Sequence, residues 1–157
     1  AVEPVIRYIR NYDRVTWAIQ VLEELQPVDV LVKFLFEVLH EGDPVYIRGE
    51  KATQIIRAFE GMEEPSIVEG IIPCLASPDD TVRIAAIECL EKKADESARE
   101  PLLETLVNPD EDSARVRTRI ADAFLKLNWE VKGYRKKVEE NLPEGFRVTS
   151  KGRVTKG

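Results

Sequence analysis

The sequence predicts an all-α fold of stacked antiparallel helix pairs, an α-solenoid, followed by a short basic extension. Three observations point there. Of the 157 residues, 43% are hydrophobic, 33% charged and only 7% aromatic. That mix suits amphipathic helices better than sandwiches of β-branched and aromatic strands. The chain also repeats itself. EGIIPCLASPD (69–79) aligns with EPLLETLVNPD (100–110), and KFLFEVLHEGD (33–43) and EPVIRYIRNYD (3–13) fall on the same positions. The blocks begin at residues 3, 33, 69 and 100, a unit of about 30–36 residues. Finally, the segment after each block repeats as well. IRGEKATQI (47–55), VRIAAIECL (82–90) and VRTRIADAF (116–124) align without a gap, each opening on a β-branched residue and an arginine. Core positions recur four and seven residues after the leader: Ala52, Ile87 and Ala121, then Ile55, Leu90 and Phe124. This is the spacing of one helical face.

In chain order, the first unit spans 3–25. Its helix at 2–11 carries Val5, Ile6 and Ile9, and the helix at 14–25 is a diverged copy without the Val-Arg pair. The second unit, 29–60, has helices at 29–40 and 44–60 around Asp43. The third, 66–93, has helices at 66–76 and 80–93 around Asp79-Asp80; the fourth, 97–127, has helices at 97–107 and 113–127 around Asp110-Glu111-Asp112. Ser66 with Glu69 and Ser97 with Glu100 have capping-box spacing, a hydroxyl and a carboxylate that can each satisfy an orphan amide at a helix start. A final helix at 130–142 completes a repeat domain of residues 1–142. The extension, 143–157, starts at Pro143 and Gly145, which stop that helix. GFRVTSKGRV then reads as two short strands around Ser150-Lys151-Gly152, with Gly152 supplying a positive φ, provided Phe146 and Val148 pack on the last helix; the alternative is a disordered basic end.

The phrase IIPCLASPDDTVRIAAIECL resembles a HEAT repeat, in particular the short HEAT-like form also found in phycobilisome-lyase-type proteins. It carries a proline in the first helix (Pro73), an aspartate in the turn (Asp79) and Val82-Arg83 before small residues in the second. The resemblance covers about residues 3–127. It implies a right-handed solenoid and a non-enzymatic scaffold that binds another protein. It also implies a turn ladder in which Asp43, Asp79 and Asp110 pair with Arg48, Arg83 and Arg117. In such folds the Val-Arg helices line the concave side. The exposed positions of those helices are then the expected contacts: Glu50, Thr53, Arg57, Glu88, Lys92, Arg119, Asp122 and Lys126. Their mixed sign suits a protein partner. Two alternative functions come from the same resemblance: a nucleic-acid-binding HEAT-like protein, or a lyase or chaperone-type partner of a chromophore protein. The first helix, with Val2, Val5, Ile6 and Ile9, leads us to expect an upstream domain of the same chain or self-association there.

Charge and motifs narrow the chemistry. The net charge is −6; residues 131–157 hold eight Lys/Arg and three Glu, so the extension is basic and the body acidic. An acidic body argues against broad nucleic-acid binding, while Arg147, Lys151, Arg153 and Lys156 leave room for a local anionic contact. The acidic turns lack the alternating acids, central glycine and distal glutamate of an EF-hand, and Asp at a helix start is ordinary capping chemistry. His40 is the only histidine and sits at a helix C-terminus without ligand spacing. Cys74 and Cys89 form no C-x-x-C pair and read as small buried positions. There is no Gly-rich phosphate loop. Trp17, Phe34, Phe36, Phe59 and Phe124 fall at helical core spacing, and Trp129 lies at a helix junction. No catalytic constellation, metal site or cofactor motif emerges. No apolar run reaches the ~20 residues of a membrane span and no signal-peptide pattern is present, so a reduced cytoplasmic setting is expected.

Overall fold

The computed structural model of the chain describes residues 2–40 and 49–157. Helices α1 (Val2–Asn11), α2 (Thr16–Leu25), α3 (Val28–His40), α4 (Gly49–Phe59), α5 (Ser66–Ile71), α6 (Asp80–Lys93), α7 (Arg99–Val107), α8 (Ala114–Leu127) and α9 (Arg135–Asn141) precede strands β1 (Phe146–Val148) and β2 (Val154–Lys156). Each first helix packs on the second of its pair: α1 on α2, α3 on α4, α5 on α6 and α7 on α8. The second helices α2, α4, α6 and α8 also pack side by side in chain order. The result is an all-α solenoid whose units each bury an apolar face on the next.

The core runs between the two layers. Leu35 from α3, Ile55 and Phe59 from α4, Ile71 from α5, Ile87 and Leu90 from α6, Leu103 from α7 and Phe124 from α8 are all fully buried. Phe36 stacks on Phe59 with ring centroids 4.5 Å apart. Gly70 on α5 faces the Phe36 ring so closely that an added Cβ would collide with it; a side chain there would have to push the ring off Phe59.

Three local differences from the sequence expectation have identifiable causes. The helix expected at 66–76 is α-helical only to Ile71 and continues as a 3-10 segment, Ile72–Ala76. Pro73 has no amide to donate to the turn before it, so the regular ladder cannot continue through it. The starts of α5 and α7 are not closed by capping boxes on Ser66 and Ser97. Ser66 donates its amide and hydroxyl to Glu64, and Asp95 accepts the Ser97 amide at 2.9 Å, capping the short 3-10 turn Glu96–Ala98 that leads into α7; the cap residues of α5 and α7 themselves, Pro65 and Ala98, make no side-chain cap bond. Lastly, the helix expected from residue 130 begins at Arg135. Glu130 pairs with Arg153 and Val131 donates its amide to Gly152 O at 2.8 Å, while Gly133 has φ +93°. The hairpin claims the backbone that the helix would have used.

The extension is a two-stranded antiparallel hairpin, with Phe146 opposite Lys156 and Val148 opposite Val154. Its turn holds Gly152 at φ +79°, a left-handed conformation that glycine adopts freely. β1 packs on α9 and β2 on α8, and Phe146 and Val148 are partly buried against the core. The contacts supply what a lone hairpin lacks.

Val2, Val5 and Ile6 are partly buried against the core and Ile9 is fully buried. The exposed large apolar side chains of the described residues lie elsewhere at this end: Tyr12, Trp17, Leu25, Val28 and Val30. Trp17 is thus half-exposed, not core. The core stripe of α2 is Ala18, Ile19 and Leu22, and Trp17 projects beside it to meet Tyr8 edge-on at 4.8 Å. Cys74 and Cys89 are buried and unpaired. Burial pushes each thiol up to about 11, which keeps both protonated at neutral pH and holds them out of thiolate chemistry.

Candidate partner-binding face

Helices α4, α6 and α8 present their outward residues as one continuous face, and charge pairs run across it. Position by position, Arg57, Lys92 and Lys126 occupy the same place in three consecutive units, ten residues after the leader. Each reaches an acid of its own or a neighbouring unit. Arg57 pairs with Glu60 at 3.2 Å and with Glu88 of α6. Lys92 reaches back to Glu60 at 3.0 Å, and Lys126 reaches back to Glu91 at 3.5 Å. Arg119 joins α8 to α6: its Nε lies 3.2 Å from Glu88 and its Nη2 2.6 Å from Glu91, with Asp122 at 3.9 Å. A chain of alternating charge therefore runs Arg57, Glu88, Arg119, Glu91, Lys126.

Exposure along this chain is graded. The side chains of Lys92 and Lys126 are 64% and 65% exposed, whereas those of Glu88 and Arg119 are only 26% and 21% exposed. Glu88 and Arg119 are thus part of the helix–helix contact, and the lysines stand above it. Burial alone would raise the Glu88 carboxyl, but hydrogen bonds and charge from Arg57 and Arg119 outweigh it and hold the group below its ordinary 4.5. A depressed carboxyl contributes stability that is present above the unfolded value and lost as pH falls through the folded one. We therefore expect thermal stability to fall steeply on acidification below about pH 4.5, and Glu88→Gln to flatten part of that loss. Melting curves between about pH 6 and pH 3 check this; identical acid limbs in both proteins would refute it.

The face extends to α2 through Gln54. Its Oε1 accepts the amides of Val15 (2.6 Å) and Thr16 (3.1 Å) and the Thr16 hydroxyl (3.0 Å). Gln54 so caps a helix that has no side-chain cap of its own. Glu50 lies 3.5 Å from Gln54 Nε2 and 3.4 Å from Arg14. Thr53, half-buried, sits on the same helix. Between α2 and α4 lies a cleft of about 270 Å3 lined by Ile19, Gln20, Glu23, Gln54 and Arg57. Of the eight contact positions expected from the sequence, Arg57, Glu88, Lys92, Arg119, Asp122 and Lys126 are brought together by ion pairs; Glu50 and Thr53 lie at the edge. Glu60, Glu91 and Gln54 were not anticipated. The one sequence signal for Glu91 is its place between Glu88 and Lys92; Gln54 is signalled only by the missing cap at Val15-Thr16.

The turns carry a different set of bonds. Asp79 caps α6, its Oδ1 accepting the Thr81 amide at 2.9 Å and hydroxyl at 2.6 Å. The Thr81 hydroxyl chiefly, then the amides of the first turn and Arg83, hold this carboxyl below its usual range. The carboxylate that grips Arg83 is Glu111, not an aspartate of the expected ladder. Arg83 Nε and Nη2 donate to the two Glu111 oxygens at 2.9 and 2.8 Å, and Nη1 donates to Ser77 O at 2.8 Å. The cause is an insertion. Pro109 follows Pro78 by 31 positions, but Val116 follows Val82 by 34. The longer turn carries Glu111 back onto the preceding unit. Asp110 instead donates its amide to Asn108, and α8 is capped by Ser113, which also donates to Asp80 at 3.1 Å. Arg117 donates to Asn108 O at 2.9 Å. Asp43 and Arg48 lie outside the described residues.

Among the basic residues of the extension, Arg153 is occupied: Nε donates to Asn128 O at 3.0 Å and Nη2 lies 3.7 Å from Glu130. Lys156 stands over the Phe146 ring at 5.8 Å, and Arg147 and Lys151 are exposed. His40 closes α3 beside Phe36, the two rings parallel at 6.0 Å. No group of His, Cys, Asp and Glu among the described residues is arranged to hold a metal, and no helix there is long and apolar enough to cross a membrane.

Comparison with known families agrees with this architecture. A family model described as HEAT repeats matches residues 32–124. No curated protein and no solved structure matches the chain.

Proposed function

Because the chain belongs to the HEAT-repeat family, we propose that it is a non-catalytic protein-binding scaffold whose partner docks on the face of α4, α6 and α8. HEAT repeats commonly mediate protein–protein contacts. The observation that carries the reading is the alternating charge running across three helices, with a partly exposed floor and two well-exposed lysines above it. A surface of mixed sign offers a protein partner paired complementarity and register, and like-charge mismatch rejects the wrong one. The low exposure of Glu88 and Arg119 suits them to shaping the floor; Lys92 and Lys126, well exposed though paired with Glu60 and Glu91, are the side chains that stand furthest toward a partner. The double variant Lys92→Glu/Lys126→Glu should keep the melting temperature within a few degrees, since each side chain gives up a mostly exposed pair worth about 0–1 kcal/mol. It should lose the partner recovered with the unaltered chain in quantitative affinity co-purification. Undiminished recovery would place the partner elsewhere.

A further inference from the structure

The two ends of the solenoid are finished differently. At the last pair, α9 packs on α7 and β2 on α8, so both helices have a neighbour beyond them. At the first pair the neighbours lie on one side. α2 packs on α3 and α4, and Arg10 of α1 stands over the Phe34 ring of α3 at 5.2 Å. The exposed large apolar side chains of the described residues gather at this end: Tyr12, Trp17, Leu25, Val28 and Val30. Trp17 is 50% exposed and Leu25 49%. Trp17, half-buried Val21 and Leu25 recur every four residues of α2 and so form one row, apart from the buried stripe Ala18, Ile19 and Leu22. Tyr8 of α1 stacks on Tyr12 with centroids 4.5 Å apart and meets Trp17 edge-on. The rings carry the row of α2 across to α1. A contiguous apolar patch flanked by charge marks a contact surface. Here the flanking charge is divided by sign. Around the α1–α2 turn stand Arg7, Arg10 and Arg14 with Asp13; at the opposite end stand Glu3, Glu23 and Glu24 with no base. Arg14 is 87% exposed even with Glu50 at 3.4 Å.

We propose that this face of α1 and α2 binds a second copy of the chain across a twofold axis normal to it. Such an axis lays the helix pair of one copy on that of the other, reversed end for end. The Tyr12–Trp17 end of each copy then meets the Leu25 end of its mate, ring against aliphatic side chain. The same reversal brings the basic turn end of one copy beside the acidic end of the other, twice over. The patch is thus its own complement in charge as well as in apolarity, which is what an isologous contact requires. At the other end of the solenoid α9 and the hairpin already cover α7 and α8. Association therefore closes at two copies and does not run on into a fibre. The face of α4, α6 and α8 stays open in this dimer, so the inference stands or fails independently of the scaffold function proposed for that face.

Sedimentation velocity of the chain over about 1 to 300 μM should show a monomer passing to a dimer at low salt, with a Kd on the order of 10 μM. Two charge-reversed proteins identify the face, Arg7→Glu/Arg14→Glu and Glu23→Lys/Glu24→Lys. Each alone sets like charge against like across the axis and should associate at least about tenfold more weakly. Mixed in equal amounts, the two place opposite charges together at both ends of the contact. They should form a heterodimer within about threefold of the affinity of the unaltered chain. Trp17→Ser should be monomeric throughout the same range. Circular dichroism and melting curves establish that each variant is folded, and the charge pair decides the matter should Trp17→Ser not fold. A monomer at every concentration overturns the proposal. So does a dimer that the charge reversals leave unchanged, a mixture no tighter than either variant alone, or a series of species larger than a dimer.

Discussion

Replacing Glu111 by alanine should lower stability by about 3–5 kcal/mol, the cost of stranding a buried charge without its partner. Arg83 is 9% exposed and Glu111 7% exposed, and the guanidinium has three of its bonds fixed, two of them to Glu111. The glutamate also accepts the Ser113 amide at 3.0 Å, at the very residue that caps α8. Its removal therefore loosens the start of one helix and the junction of two units together. For a chain of this length the melting temperature should fall by roughly 10 °C or more. Glu111→Ala in a thermal or urea unfolding series gives the value, and a loss below about 1 kcal/mol would mean that Arg83 finds another partner. The double change Arg83→Met/Glu111→Leu should recover most of the loss, because an apolar pair of similar volume avoids burying charge at all.

The second large effect is expected on binding. Glu88→Arg sets a third cation between Arg57 and Arg119, where the native carboxylate pairs with both. The two pairs are partly exposed, so stability should fall by only about 1–2 kcal/mol. The floor of the face changes sign and pushes its neighbours apart. A partner complementary to the native pattern should lose about a hundredfold in affinity, since like charges across an interface cost several kcal/mol. Calorimetric titration of the identified partner measures this against Glu69→Arg, a reversal on the exposed side of α5, which should leave affinity within about twofold. Equal losses from both substitutions would contradict a face-specific contact.

The helix pairs were legible because the same face recurs in each second helix: Ala52, Ile87 and Ala121 are buried, as are Ile55, Leu90 and Phe124. Gly152 announced the hairpin turn, since one position needs a left-handed backbone. Glu111 was not legible as the partner of Arg83. An alignment of repeats directs attention to the shared aspartate, whereas the contact comes from three inserted residues that have no counterpart in the preceding turn. The start of α9 was misplaced for a related reason, because Val131 bonds to Gly152, a residue far along the chain. On the binding face, helical spacing located Arg57, Glu88 and Arg119, but which acid each base meets depends on the stagger between neighbouring helices. That stagger brings in Glu60 and Glu91, positions that no single helix marks as contacts. Gln54 shows the same limit: a side chain of α4 closes the start of α2.

The central claim is that a partner protein sits on the face of α4, α6 and α8. The most direct measurement is photo-crosslinking in cells with benzoylphenylalanine placed at Thr53 in one protein and at Glu69 in another. Thr53 lies on the second-helix layer and Glu69 on the exposed side of a first helix. The account predicts a discrete crosslinked species from the Thr53 position and none from Glu69. A product from Glu69 with none from Thr53 would contradict it.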